Sequence, residues 1–286
     1  MIVLVLIVSL LPVILLGRYI YKNDFEKEPM PLLSALFIAG FAAVVLTYIL
    51  THILYYYVPF FKLDILDVGN IINLIPYTFI GVALIEESAK WLFVCLFAYN
   101  HREFNHAYDG IVYAVFVSLG FACIENLLYV FNPLNPEPLT VALHRSISAV
   151  PGHVCFGILM GYYLGRAKSA SKNQNKRLVR INLIKSLLIP IIVHGVYDYF
   201  IFAAEFYEKF SIPFVIFVVL LFSSSINKIK SMSQIRYDIT EDAKPDLNTI
   251  AEIIADENIC PMCGEAITDG VCDGCGHEHY KIEQVS

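Results

Sequence analysis

At 286 residues, 57% apolar and only 16% charged, the chain is too hydrophobic for a water-soluble globular protein, and its apolar residues fall into runs of ~20, the length that crosses a bilayer. The formal net charge of −6 joins two unlike parts: residues 1–236 carry 18 Lys/Arg against 14 Asp/Glu, or +4, and residues 237–286 carry 2 against 12, or −10. A slightly basic membrane body with an acidic polar tail, and no basic patch with interleaved aromatics, excludes a nucleic-acid binder.

Seven spans are predicted in chain order: 2–21, 31–58, 71–99, 109–131, 141–165, 183–203 and 212–226. The fold class that follows is an all-α polytopic membrane protein of about seven transmembrane helices. The first run has no positive flank and no small-residue cleavage site, so it reads as a retained span rather than a signal peptide. Lys and Arg concentrate after spans 1, 3, 5 and 7, most densely at Arg166, Lys168, Lys172, Lys176, Arg177 and Arg180, whereas the alternate loops offer only Lys62 and Lys209. By the positive-inside rule this predicts an integral cell-membrane protein with its N-terminus outside and its tail cytoplasmic.

The third run is the chemically unusual one. Glu86, Glu87 and Lys90 lie inside it, and each charge placed mid-bilayer costs roughly 2.5–3.5 kcal/mol on insertion scales. Intramembrane charges usually face a bundle interior or a wet cavity and mark a site. Further polar residues follow in the later runs: Glu125 in span 4, His153 after Pro151-Gly152 in the middle of span 5, and His194 with Asp198 at i, i+4 on span 6. Counted at about 1.5 Å per residue, Glu86, Glu87, His153 and His194 fall near mid-bilayer, with Glu125 and Asp198 toward the outer side. Residues from four spans can therefore converge at one depth. Pro151 is expected to kink span 5 directly before His153, as beside a wet pocket.

Imidazoles and carboxylates in this number suit peptide hydrolysis, which needs an activated water, a base and oxyanion donors. Two arrangements stay open. In one, Glu125, His153 and His194 hold a catalytic zinc and Glu86 or Glu87 is the base. In the other, a buried glutamate activates water with a histidine and no metal, while His194 and Asp198 bind the oxyanion or orient the substrate; the i, i+4 spacing also suits Asp198 fixing the His194 tautomer. The bland readings are an internal Glu86–Lys90 pair that eases insertion, Asp109 as a helix N-cap, and His144 and Arg145 snorkelling to the outer surface. Ser146 and Ser148 lack a base at convincing spacing, and no His-Glu-x-x-His occurs.

Residues 227–259 read as a polar linker, with a short helix expected around 247–254, and 260–286 as a separate module. There Cys260, Cys263, Cys272 and Cys275 form two CxxC pairs, each followed by glycine. That is the spacing of a structural Cys₄ zinc site, closed to catalysis. The reducing cytoplasm disfavours the disulfide alternative, and so small a module needs its metal to fold. It resembles a short zinc ribbon, with protein docking as its expected role. Cys95, Cys123 and Cys155 read as small buried hydrophobes.

The ordered segments Glu-Glu-Ser-Ala-Lys, His-Ala-Tyr-Asp-Gly, Gly-Phe-Ala-Cys-Ile-Glu-Asn, Ser-Ala-Val-Pro-Gly-His and His-Gly-Val-Tyr-Asp resemble the motifs of the PrsW family of intramembrane proteases, distant relatives of CAAX prenyl endopeptidases. The similarity runs over about residues 24–200. It implies endopeptidase action on membrane-tethered proteins, such as site-1 cleavage of an anti-sigma factor, with Glu86, Glu87, Glu125, His153, His194 and Asp198 as site residues. Against the CAAX-type pattern the chain has Lys90 where an arginine one position later is usual, Glu125 for histidine and Asp198 for asparagine, which leaves metal dependence open. Two other classes compete: an ion- or proton-coupled transporter, for which no inverted repeat is found, and a non-catalytic receptor that docks partners through the zinc ribbon.

Overall fold

The computed structural model describes residues 1–58, 71–172 and 174–233, together with the backbone of 267–268 and 271–272. Its body is helical. Helix α1 spans Ile2–Asn23 and α2 spans Met30–Tyr57, with Pro31 in its first turn, where a missing N–H costs nothing. The third run is helical from 71 to 99 but not uniform. Helix α3 (Ile71–Pro76) passes into a π-helical stretch, Tyr77–Ala83, then into α4 (Leu84–Val94), and ends in a second π stretch, Cys95–Tyr99. The sequence predicts one plain span here. Extra residues per turn on both sides of Glu86-Glu87 are instead the widened geometry that often accompanies function.

Helix α5 (Ala107–Val130) is the axis of the bundle. It is apolar on every side, the pattern of a helix enclosed by others, and 17 of its 24 residues are buried. Its first turn is closed by Asp109, whose carboxylate accepts from the N–H of His106 at 2.6 Å and of Asn105 at 2.9 Å. Asp109 is thus the third helical residue reaching back to the cap rather than the cap itself. Helix α6 (Pro138–Ile147) and α7 (Ala149–Lys172) follow, then α8 (Lys176–Phe206), capped by the Asn175 side chain accepting from Leu178 N–H at 3.1 Å, and α9 (Ser211–Ser233). The last helix runs seven residues past its predicted end at Ile226.

Helices α2 and α7 pack on α5 most closely, α4 and α8 join along one flank, and α1 and α6 along another. Two crossings are close enough to need glycine. A Cβ at Gly120 of α5 would collide with the Phe37 backbone of α2, and one at Gly161 of α7 with the Gly110 backbone of α5. Such backbone approach is the small-residue packing of membrane helices.

Among the described residues six helices are long and apolar enough to cross a bilayer, with 138–172 counted as one and 71–99 not among them; no α or π piece of 71–99 reaches 18 residues by itself. The break in the fifth run also differs from expectation. The helix is interrupted at Ser148, between α6 and α7, and Pro151 sits in the first turn of α7, where proline is tolerated. His153 therefore stands one turn into a helix, not at a mid-helix kink. The four tail cysteines expected to bind zinc and the predicted 247–254 helix lie outside the described residues, except for a backbone ladder in which Ile267 opposes Cys272 and Thr268 opposes Val271 antiparallel.

Candidate active site

Adjacent positions on a helix point about 100° apart, so Glu86 and Glu87 face different neighbours. Glu87 turns to α8: its Oε1 lies 2.9 Å from His194 Nδ1 and accepts from Lys90 Nζ at 2.7 Å. The other ring nitrogen of His194 is 3.3 Å from Asp198 Oδ2, one turn further along α8. Glu86 turns toward α5 and α7. Its carboxylate, that of Glu125 and the imidazole of His153 each offer a ligand atom within 4.8 Å of the others.

The α5–α7 contact brings a second carboxylate–imidazole pair together, His153 Nε2 to Glu125 Oε2 at 2.7 Å. Lys90 ties the two pairs to each other, its ammonium donating both to Glu87 and to His153 Nδ1 at 3.0 Å. Because Lys90 has only donors, Nδ1 accepts and Nε2 carries the proton given to Glu125. Phe121 lies under the ammonium at 4.2 Å, and Phe156 stacks on His194 at 4.5 Å between ring centres. These rings fix side chains that would otherwise have free rotamers.

Glu125 has a further partner, Arg145 of α6, which donates Nη2 to Glu125 Oε2 at 2.7 Å and Nε to Asn126 Oδ1 at 3.1 Å while lying over the Tyr129 ring. The snorkelling expected of Arg145 is overturned: the packing of α6 beside α5 brings this side chain into the cluster. Lys90 likewise does more than pair with Glu86, from which it stands 3.6 Å. Its spacing of three and four residues from the two glutamates was a readable signal. Nothing local marked Arg145, since its partners are 19 and 20 residues away.

Exposure is graded across the cluster. The side chains of Glu87 and Lys90 are fully buried, whereas those of Glu125, Arg145 and Asp198 are each 16% exposed. The cluster thus has a sealed floor and a mouth. Glu86 Oε2 and Glu87 Oε2 are buried without a hydrogen-bond partner among the described residues. Buried carboxylate oxygens are rarely left so, and a divalent cation between hard oxygen donors and an imidazole would satisfy the first of them. The residues present fit a metal. The expected metal trio named His194; the atoms that converge are those of Glu86, Glu125 and His153, and both His194 nitrogens face carboxylates.

The model of the PrsW family intramembrane metalloproteases matches residues 28–224, which hold every one of these side chains. The chain belongs to the PrsW family. Relatives named Protease PrsW include those of Oceanobacillus iheyensis, 34% identical over 80% of this chain and 96% of the relative, Geobacillus kaustophilus, 33% identical over 76% and 87%, and Bacillus subtilis, 33% identical over 71% and 85%. No solved structure matches the chain. This PrsW family member is an intramembrane protease, a hydrolase seated in the bilayer and acting on membrane-tethered proteins. The transporter and receptor readings are not favoured.

Proposed function

We propose that the cluster hydrolyses a peptide bond of a membrane-anchored regulatory protein, with Glu86, Glu125 and His153 holding a zinc ion. The observation that carries this reading is their convergence beside a buried Glu86 oxygen that accepts no hydrogen bond among the described residues. Zinc so held would supply Lewis acidity toward the scissile carbonyl and toward water. The chain's own residues do the rest. Glu87, with Oε1 fixed by Lys90 and His194 and Oε2 unpartnered, accepts the proton of the attacking water. His194, set between Glu87 and Asp198, passes a proton toward the mouth, where the leaving amine needs one. Arg145 orients Glu125 and, being partly exposed, stands where an oxyanion donor is useful.

The metal-free route has one observation in its favour: both nitrogens of His153 already have partners. Zinc content of the purified full-length protein decides. Two equivalents are expected, one of them lost on Cys272→Ser with Cys275→Ser and the other on His153→Ala. A cysteine double variant that is zinc-free yet cleaves substrate would establish the metal-free route.

The same reading places the division at 1–226, 227–259 and 260–286, the N-terminus outside, and the tail in the cytoplasm as a Cys₄ zinc ribbon that docks a protein partner. The charge distribution of the loops and the cysteine spacing support it.

A further inference from the structure

A cavity of about 690 Å³ lies away from the cluster, between Trp91 of α4, the end of α7 and the first three turns of α8. Its α8 wall is one stripe, Lys176, Arg180, Leu183 and Leu187, at the spacing that keeps residues on one helical face. The stripe is cationic at the helix start and apolar beyond. Ser171 and Gln174 add polar groups at the cationic end, and Ile184 and Trp91 add apolar surface at the other. The gradient runs from the end of a span toward the bilayer centre, over ~16 Å of helix. It is the gradient of a phospholipid, anionic at its head and apolar in its chains, and Trp and basic residues are what membrane–water interfaces collect.

The paired cations at one end and the apolar stripe beyond favour a lipid, which carries both features in one molecule. We propose that this groove binds one anionic phospholipid, its phosphate on Lys176 and Arg180 and an acyl chain along Leu183 and Leu187. The site touches the catalytic frame without belonging to it. Trp91 follows Lys90 directly and donates its indole N–H to Ser186 of α8 at 2.8 Å, so the groove wall bridges the two helices that carry Glu87 and His194.

Trp91 is the only tryptophan in the chain, so its fluorescence reports on this groove alone. The full-length protein would be placed in phosphatidylcholine nanodiscs and titrated with phosphatidylglycerol or phosphatidylcholine brominated on the acyl chains. Each basic side chain near an anionic head is worth about a fivefold preference, so with two of them phosphatidylglycerol should quench at ~25-fold lower mole fraction. Lys176→Gln with Arg180→Gln should abolish the preference. Arg177→Gln, which removes an exposed charge from the same turn outside the groove, should keep it. Equal quenching by both lipids, or equal loss in the Arg177 variant, would overturn the proposal. Relief of quenching by a transmembrane peptide with an acidic flank would also overturn it and assign the groove to substrate.

Discussion

Two carboxylate–imidazole pairs face each other across Lys90, Glu125–His153 from α5 and α7 and Glu87–His194 from α4 and α8. They share a chemistry and differ in surroundings. The first opens at the mouth beside Arg145, on two helices whose backbones touch through glycine; the second is closed over by protein, on a helix flanked by π turns. A carboxylate at the mouth can meet substrate and solvent. A carboxylate on the floor meets only a water admitted to the cluster and the groups that hold it.

The largest effects should come from breaking either pair, and the accompanying stability change should tell them apart. Glu125→Gln and Glu87→Gln are each expected to lower cleavage of a membrane-tethered reporter by ~10³-fold, the scale of a lost acid–base or electrostatic group. Glu125→Gln leaves Arg145 able to reach water, and the melting temperature should hold. Glu87→Gln leaves the fully buried ammonium of Lys90 with one carboxylate, Glu86, 3.6 Å away, and stripping a buried pair of one partner costs about 3–5 kcal/mol. A Glu87→Gln protein that melts with the wild type would show that the floor is not a sealed ion pair.

Arg145 sharpens the comparison at a smaller scale. It forks between Glu125 and Asn126, and removing the partner of a metal or catalytic carboxylate typically costs 10–100-fold. Arg145→Ala should fall in that range. Arg145→Lys keeps the charge but cannot fork, and should recover part of kcat. If Arg145 only packs α6 against α5, both variants would lower the melting temperature while kcat of the folded fraction stays unchanged.

The fold was legible because the bilayer dictates it: spans of ~20 apolar residues and the loop charges leave few alternatives. That Glu86, Glu87, His153 and His194 could meet was legible too, since about 1.5 Å per residue sets height along a helix and puts the four at similar heights. Rotation about the helix axis was not. Whether Glu86 or Glu87 faces Glu125 depends on the π turns beside them, and π turns have no periodicity to read. Arg145 was hidden because its partners lie on another helix, and the packing of α6 beside α5 decides whether this side chain meets lipid headgroups or a carboxylate.

The smallest expected effect lies away from both pairs, in the loop between α1 and α2. Asp24 and Glu28 are buried there, and Tyr113 of α5 donates its hydroxyl to Glu28. Burial pushes Asp24 up from 3.8 to about 6 and Glu28 from 4.5 to about 7. A carboxyl whose folded value is raised binds its proton more tightly in the fold than in the unfolded chain, so stability is greatest in acid and declines as pH rises from about 4 to about 7. Above that both states are ionised and the slope ends. Glu28→Gln keeps an acceptor for Tyr113 and removes the charge, so it should flatten much of the decline and raise the melting temperature at pH 8 by a few degrees, at ~2–4 °C per kcal/mol for a body of this size. Melting in detergent between pH 4 and 8 checks it. A wild-type curve that rises with pH, or a Gln variant that melts lower at pH 8, would mean that the ionised pair has partners which stabilise it, and that this loop is held by charge rather than in spite of it.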